Sequence, residues 1–598
     1  MKSEIRIYFE CLEQILHYIL PLVKEGMTES KIDAEIKFIR KPKQLKKSNG
    51  NIASIYALTT PDVLVTLCKN KKEIPLLMGE FSEAVITEDH ELQRAIGGIA
   101  AVLSKCIYFK ISGRKESVKE HGGKKDFNPL TVPKILKQAF GYDGYVFGEW
   151  PTADDNPYIL KRDKNFLSCP PKSEIPLVEE VLRITIKEGL RNFDDILSGK
   201  KTIVGCVLPD LENKECYKEY IKLLKTAPGL KELVNDWKGR KGKGENKEPR
   251  ILLDENRLII KINRFSHAAD PDRGILIFAS TLVPANVVLA RYKVKQVCAK
   301  TRNLINEFIN QSLEEGLPED FVNGLKKYLT KTISKHTDTT DFLIKNKNKW
   351  ENNKVLSAIF LFSDGIVIHD KDNKSKILLT WNRKQIFGIK DNLKNSLDKL
   401  FDFKQYGKPL RIMEVNDVNE DEVSYIVVHG ILKPNNFDIV SVSYPGAQGD
   451  AAILPEKGKG RKQSRLYIDV IAWLPNTDVP SSNITLEESK DSFNANEINK
   501  IIKKLDLFRT DKEMTGALIE TLNRLNHMRK LGHIFIGVAF GVKNITTKWE
   551  PYKVDYLVRI FDRDRWQVAS FGDKLKSAFK IVEGKVNLPK VYKVIDSI

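Results

Sequence analysis

Cysteine is sparse in this chain: seven among 598 residues, none in a Cys-x-x-Cys pair. No His cluster stands at zinc-finger spacing either. This argues against a structural zinc site and for reduced thiols in a reducing compartment. Long apolar runs are missing too. No window approaches the roughly 18 uninterrupted apolar residues that a membrane span needs. The opening MKSEIRIYFECLEQILHYIL carries acids and a His inside its apolar stretch, unlike a signal peptide. The expectation is a cytoplasmic protein with no membrane partner. There is no GxxxxGK[ST] loop and no GxGxxG in a βαβ context, since Gly97 and Gly98 fall within a helical pattern. ATP-driven motors and dinucleotide enzymes are thereby disfavoured. No Ser or Cys triad is legible.

What is present is a globular composition, 41% hydrophobic and 30% charged, in a chain long enough for two to four domains. The net charge is +19, from 98 Lys plus Arg against 79 Asp plus Glu. Such an excess favours a polyanionic partner, either nucleic acid or an acidic membrane surface. Its placement is more telling. Basic runs occur in KPKQLKK (around 42–47), GRKESVKEHGGKK (113–125), WKGRKGKGENK (237–247) and EKGKGRKQSR (456–465). Several are punctuated by Gly and read as loops that track a phosphate backbone, although solvated loops would have the same composition.

The pattern predicts a multi-domain α/β chain. An amphipathic helix is expected from Ser3 to about Lys24, then strands in AEIKFIRK, YALTTPDVLVTLCK and EIPLLMGEFSEAV. A helix in TEDHELQRAIGGIAAVLSK and a strand in CIYFKIS follow. Farther on, strands are expected in RILLDENRLIIKINRF and GILIFASTLV, and a helix from about Val287 to Lys331. Further strands are expected in VLSAIFLFSDGIVIHD, SYIVVHGIL, SRLYIDVIAWL, HIFIGVAFGV and VDYLVRIFD. Polar, Lys-rich stretches suggest domains at 1–125, 126–335 and 350–598.

The chemistry concentrates in TTPDVLVTLCKNKKEIPLLMGEFSEAV. Asp62 opens one strand, and Glu80, seventeen residues on (63–79 intervening), ends the next. Strand alternation puts Met78, Glu80 and Ser82 on one face. Two adjacent strands can thus aim Asp62 and Glu80 at one point, where paired carboxylates are costly unless a cation joins them. Hard oxygen ligands suit Mg²⁺, with Mn²⁺ as a substitute, and Mg²⁺ can polarise a phosphodiester and activate water. A turn at Pro61-Asp62 and an exposed Glu80 would explain the same residues without chemistry. Against that, Glu80 follows the apolar run Ile74 to Met78.

Through Pro61-Asp62, Glu80 and the order helix, three strands, helix, strand, residues 1–110 resemble the PD-(D/E)XK nuclease superfamily, the fold of many restriction endonucleases. The resemblance implies an N-terminal restriction-endonuclease-like mixed sheet flanked by helices, with metal on Asp62 and Glu80. The family pattern has Lys two residues after the second acid, where this chain has Ser82. Lys110 and Arg94 are candidates for a migrated cation, and Glu10 or Glu13 for an added ligand.

A second acid pair, Asp450 and Asp469, is separated by eighteen residues (451–468), with helical and strand patterns following. It suggests a second nuclease-like core with both acids on metal, its cation borrowed from Lys462 or Arg465. A DNA-contacting basic hairpin is the competing explanation. HAADPDRG (267–274) and SDGIVIHDKDNK (363–374) read first as ordinary polar turns, and His527 and His533 are not read as ligands.

The implied activity is a Mg²⁺-dependent endonuclease of type II restriction character, cutting double-stranded DNA in bacterial defence. A homodimer is admitted as an assembly. SAM-binding and NPPY-type signals are absent, so a cognate methyltransferase would be a separate chain. The alternatives are a repair nuclease without sequence preference and a non-catalytic nucleic-acid-binding protein in which Ser82 marks a dead site.

Overall fold

The computed structural model describes residues 3–41, 59–83, 88–113, 127–240, 418–442, 466–475, 481–541 and 554–595, apart from a few positions within them, together with shorter pieces elsewhere. The chain is a multi-domain mixed α/β protein built on two large sheets flanked by helices.

The N-terminal elements are β1 (Ser3–Phe9) and helix α1, which comprises Leu12–Gln14, a π-helical Ile15–Ile19 and Leu20–Ser30. Next come β2 (Ala34–Arg40), β3 (Val63–Lys69), β4 (Lys72–Ser82), α2 (Glu88–Ser104) and β5 (Ile107–Gly113). After α3 (Thr131–Phe140) and β6 (Tyr145–Trp150), α4 (Pro176–Arg191) packs against the sheet. The eight-stranded first sheet is completed by β7 (Arg411–Glu414) and by β15 (Val591–Ile595), the last strand of the chain. Its order is β7-β15-β2-β1-β3-β4-β5-β6. This sheet therefore runs past residue 125 and takes two strands from the C-terminal part.

The C-terminal elements are helix α5 (Glu420–Tyr425), which continues as a π-helical Ile426–Leu432, then β8 (Asp438–Val442), β9 (Val470–Trp473) and β10 (Ser482–Lys490). Helices α6 (Ala495–Thr510) and α7 (Lys512–Arg524) lead to β11 (Leu531–Gly541), β12 (Tyr556–Ile560), β13 (Arg565–Ser570) and β14 (Glu583–Lys585). The seven strands of the second sheet are ordered β8 to β14.

The two sheets repeat one pattern. In the run β1-β3-β4-β5-β6 the pairings are antiparallel, antiparallel, parallel, parallel. The run β8-β9-β10-β11-β12 has the same sequence of pairings. In each, helix covers the crossover between the third and fourth strands, by α2 in one case and α6–α7 in the other. Strands buried on both faces read as continuous apolar runs, as in VLVTLCK of β3. Leu92, Ala95, Ile96, Ile99 and Leu103 of α2 recur at three- and four-residue spacing and are buried against the sheet.

Several expected elements differ. Ser3–Phe9 is a strand, and the helix begins at Leu12. SYIVVHGIL is helical within α5 and its π continuation rather than a strand. Val287–Tyr292 is a strand where a helix was expected, and Ile275, Phe278 and Ala279 are helical where a strand was expected. The segments 267–274 and 335–353 and nearly all of the basic runs lie outside the described residues. Among the described residues no helix is long and apolar enough to cross a membrane, and six cysteines are free thiols.

Gly79 shows how tightly β4 is held. A Cβ there would lie 2.0 Å from the Phe109 ring of β5, which itself meets Phe81 edge to face at 5.4 Å. Gly79→Ala is expected to cost about 1–3 kcal/mol by overpacking, read as a lower urea midpoint with circular dichroism.

Candidate metal centres

Chain crossings, more than local sequence, assemble the first centre. Asp62 stands immediately before β3, and its Oδ2 accepts the backbone N–H of Phe81 at 2.8 Å. That bond fixes the carboxylate beside Glu80 on β4. The backbone N–H of Glu10 reaches the carbonyl of Asp62 at 2.9 Å, and that of Lys41 reaches Phe9 at 2.8 Å, so the ends of β1 and β2 converge on the start of β3. The Lys41 ammonium then donates to Glu10 Oε2 at 2.5 Å and lies 3.6 Å from Asp62 Oδ1. Burial raises the Asp62 carboxyl well above the usual range, and Glu80 and Glu10 add to this while Lys41 opposes it. Although burial works against its charge, Glu10, Asp62 and Glu80 hold Lys41 at about 12.

Ser82, the residue in place of the expected Lys, is buried, and its hydroxyl makes no hydrogen bond among the described residues. Of the two candidate cations, Arg94 on α2 places Nε 3.5 Å from Glu80 Oε1. Lys110 is committed elsewhere: it pairs with Glu91 at 2.5 Å, both fully buried. Glu13 is not at the centre. It accepts two bonds from Ser168 at 2.9 Å and pairs with His429 at 2.7 Å. Lys41 carried no motif signal, because strand pairing rather than spacing brings it in.

The second centre has the same construction. Asp469 stands just before β9, and its Oδ2 accepts the backbone N–H of Ser489 at 2.8 Å, matching the bond from Phe81 to Asp62. The acid beside it is therefore Glu488 on β10, and two residues on is Lys490. The Lys490 ammonium lies 3.8 Å from Asp469 Oδ2 and 3.7 Å from Glu488 Oε2, and it is bonded to Glu420 at the start of α5. Lys504 of α6 donates to Glu488 Oε1 at 2.7 Å, as Arg94 of α2 faces Glu80. Burial, then Glu488, pushes the Asp469 carboxyl up to about 7, with Lys490 pulling the other way.

The described residues place Asp469 in the position that Asp62 holds beside the first sheet, with Glu488 and Lys490 downstream of it. Asp450, Lys462 and Arg465 fall outside the described residues. The signal was legible as Glu488-Ser489-Lys490 in TLEESK, eighteen residues after Asp469 (470–487 intervening). It is missed if Lys is sought two residues after Asp469, where Ile471 stands.

Among the described residues no group of three or more His, Cys, Asp and Glu could by itself hold a metal ion. The first centre gathers Glu10, Asp62 and Glu80 around Lys41, and the second gathers Asp469, Glu488 and Glu420 around Lys490, with Lys504 also on Glu488. Mg²⁺ is commonly held through one or two carboxylates together with water and substrate phosphate, so the donor sets suit Mg²⁺ arriving with a phosphate better than a resident caged ion. Comparison of the chain with family models, curated proteins and solved structures gives no match.

Proposed function

We propose that this chain is a Mg²⁺-dependent endonuclease that hydrolyses DNA phosphodiester bonds, of restriction type. The observation that carries the reading is the repeat: two sheets with the same run of pairings each hold Asp, Glu and Lys, with the Asp clamped to the backbone N–H that follows the Glu. The net charge of +19 supports a polyanionic substrate.

Asp62 and Glu80 would hold the cation in the first centre, and Asp469 and Glu488 in the second. Bound there, Mg²⁺ supplies positive charge to the scissile phosphate and lowers the pKa of the attacking water. Lys41 and Lys490 stand close enough to the carboxylates to orient that water and to offset charge growing on phosphate oxygens. Burial pushes the Asp469 carboxyl up to about 7, so a proton competes with Mg²⁺ for it and Mg²⁺ affinity should fall as pH drops.

The test uses supercoiled plasmids of varied sequence with protein and Mg²⁺. Wild type is expected to cut them into discrete fragments, and chelation or the double change Glu80→Gln, Glu488→Gln to stop cutting. Intact wild-type reactions across Mg²⁺ and Mn²⁺ would leave a non-catalytic nucleic-acid binder. A smear would instead indicate a nuclease without sequence preference.

A further inference from the structure

We propose that the two centres act on opposite strands of one duplex, so that a single chain makes a double-strand break in one binding event. This rests on the nuclease reading above and goes beyond it by giving the two centres a shared substrate.

The centres are held together by consecutive residues. On α5, Glu420 bonds Lys490 of the second centre, while Glu422 Oε2 receives Arg40 Nη2 at 2.5 Å. Arg40 ends β2, and the next residue is Lys41 of the first centre. Between the two glutamates, Asp421 is buried and feels the charges of both Glu10 and Glu420, one from each centre. The acidic first turn is itself pinned by a capping box: Glu422 N–H donates to Asn419 Oδ1 at 2.8 Å, and Asn419 N–H donates to Glu422 Oε2 at 3.2 Å. A second bridge, Glu13 to His429, ties α1 to the π-helical continuation of α5 at 2.7 Å. Pairing of β15 with β2 joins the C-terminal part to the first sheet.

The linkage fits one duplex. Contacts and neighbouring charges run from Lys41 through Glu10, Asp421 and Glu420 to Lys490, so the two centres stand at the two ends of one short chain of side chains. The phosphate rows of B-DNA face each other across grooves about 6 and 12 Å wide, and two centres linked in this way can meet phosphates on opposite strands. Each cut adds one water across one P–O ester bond, leaving a hydroxyl end and a phosphate end and releasing a proton.

The experiment follows supercoiled plasmid with the full chain and Mg²⁺ at limiting protein. Wild type is expected to yield linear DNA with little open circle. Glu80→Gln and Glu488→Gln should each stop at open circle, with linear product down at least tenfold, and the pair should leave supercoiled DNA. Lys41→Met and Lys490→Met give the same readout if a glutamine variant fails to fold. Arg40→Gln with Glu422→Gln loosens the bridge and should make open circle accumulate. A footprint on a cleavable duplex in Ca²⁺ should protect both strands over one continuous stretch. Linear product at the wild-type rate from either single variant overturns the proposal while leaving the nuclease reading intact. So does a rate second order in protein, or two separated footprints. No cutting by wild type overturns both.

Discussion

Lys41→Ala, made together with Glu488→Gln so that only the first centre works, is expected to slow plasmid nicking roughly 10²- to 10³-fold. Adding Ser82→Lys should restore a measurable part of that rate. Lys41 is the ammonium facing both Glu10 and Asp62 in the first centre, as Lys490 faces Asp469 and Glu488 in the second. Ser82 shares the face of Glu80, and its position on β4 corresponds to that of Lys490 on β10. Lysine there would place a charge at the matching point of the sheet. Because the Ser82 hydroxyl makes no hydrogen bond among the described residues, its removal orphans none of them. Initial nicking rates decide the matter. An undiminished rate in the Lys41 variant, with the loss appearing in Arg94→Gln instead, would transfer the role to Arg94.

That first centre was half legible in the sequence, for a physical reason. Asp62 and Glu80 announce themselves through local signals: Asp62 opens the β-branched run of β3, and Glu80 breaks the apolar run of β4. Glu10 enters only as a ligand candidate that the resemblance implies, and Lys41 has no signal at all, since the pairing of β1 with β2 and β3 carries both across sequence gaps no spacing rule encodes. Short alternation is also masked by its neighbours. Ser3–Phe9 alternates only through Glu4, Ile5, Arg6 and Ile7, and the apolar Tyr8 and Phe9 then merge with those of α1 into a helix-like pattern. The β-branched Ile426, Val427 and Val428 suggest a strand. They are fully buried within a helix whose start is set by the Asn419 cap, and packing there outweighs propensity. In the second centre the complete Glu488-x-Lys490 spacing is present in the sequence, but reading Asp469 as the second acid directs the search for Lys to position 471, where Ile471 stands.

The same strand holds a residue whose effect on stability should be large. Glu487 precedes Glu488 and therefore points to the opposite face of the sheet. It is fully buried; Oε2 accepts the Tyr556 hydroxyl at 2.6 Å, and Oε1 makes no hydrogen bond. Burial lifts its carboxyl from 4.5 to about 8, the Tyr556 bond working against the rise. Between those two values the unfolded chain loses this proton and the folded one keeps it. Folded protein then binds more protons than unfolded, so stability declines as pH climbs from about 4.5 to about 8 and levels off above. At about 1.4 kcal/mol per pH unit the loss is on the order of a few kcal/mol. Glu487→Gln keeps a neutral group of the same shape that can still accept from Tyr556. It should therefore match wild type near pH 5 and be more stable by that amount near pH 8.5, read as a higher urea midpoint. Asp469, also raised, contributes with the same sign in both proteins, and its charge adds only the smallest of the causes that raise Glu487, so most of its contribution cancels in the difference. A constant gap between variant and wild type across that range would mean that Glu487 is ionised in the folded state throughout, and that Tyr556 alone stabilises the buried charge.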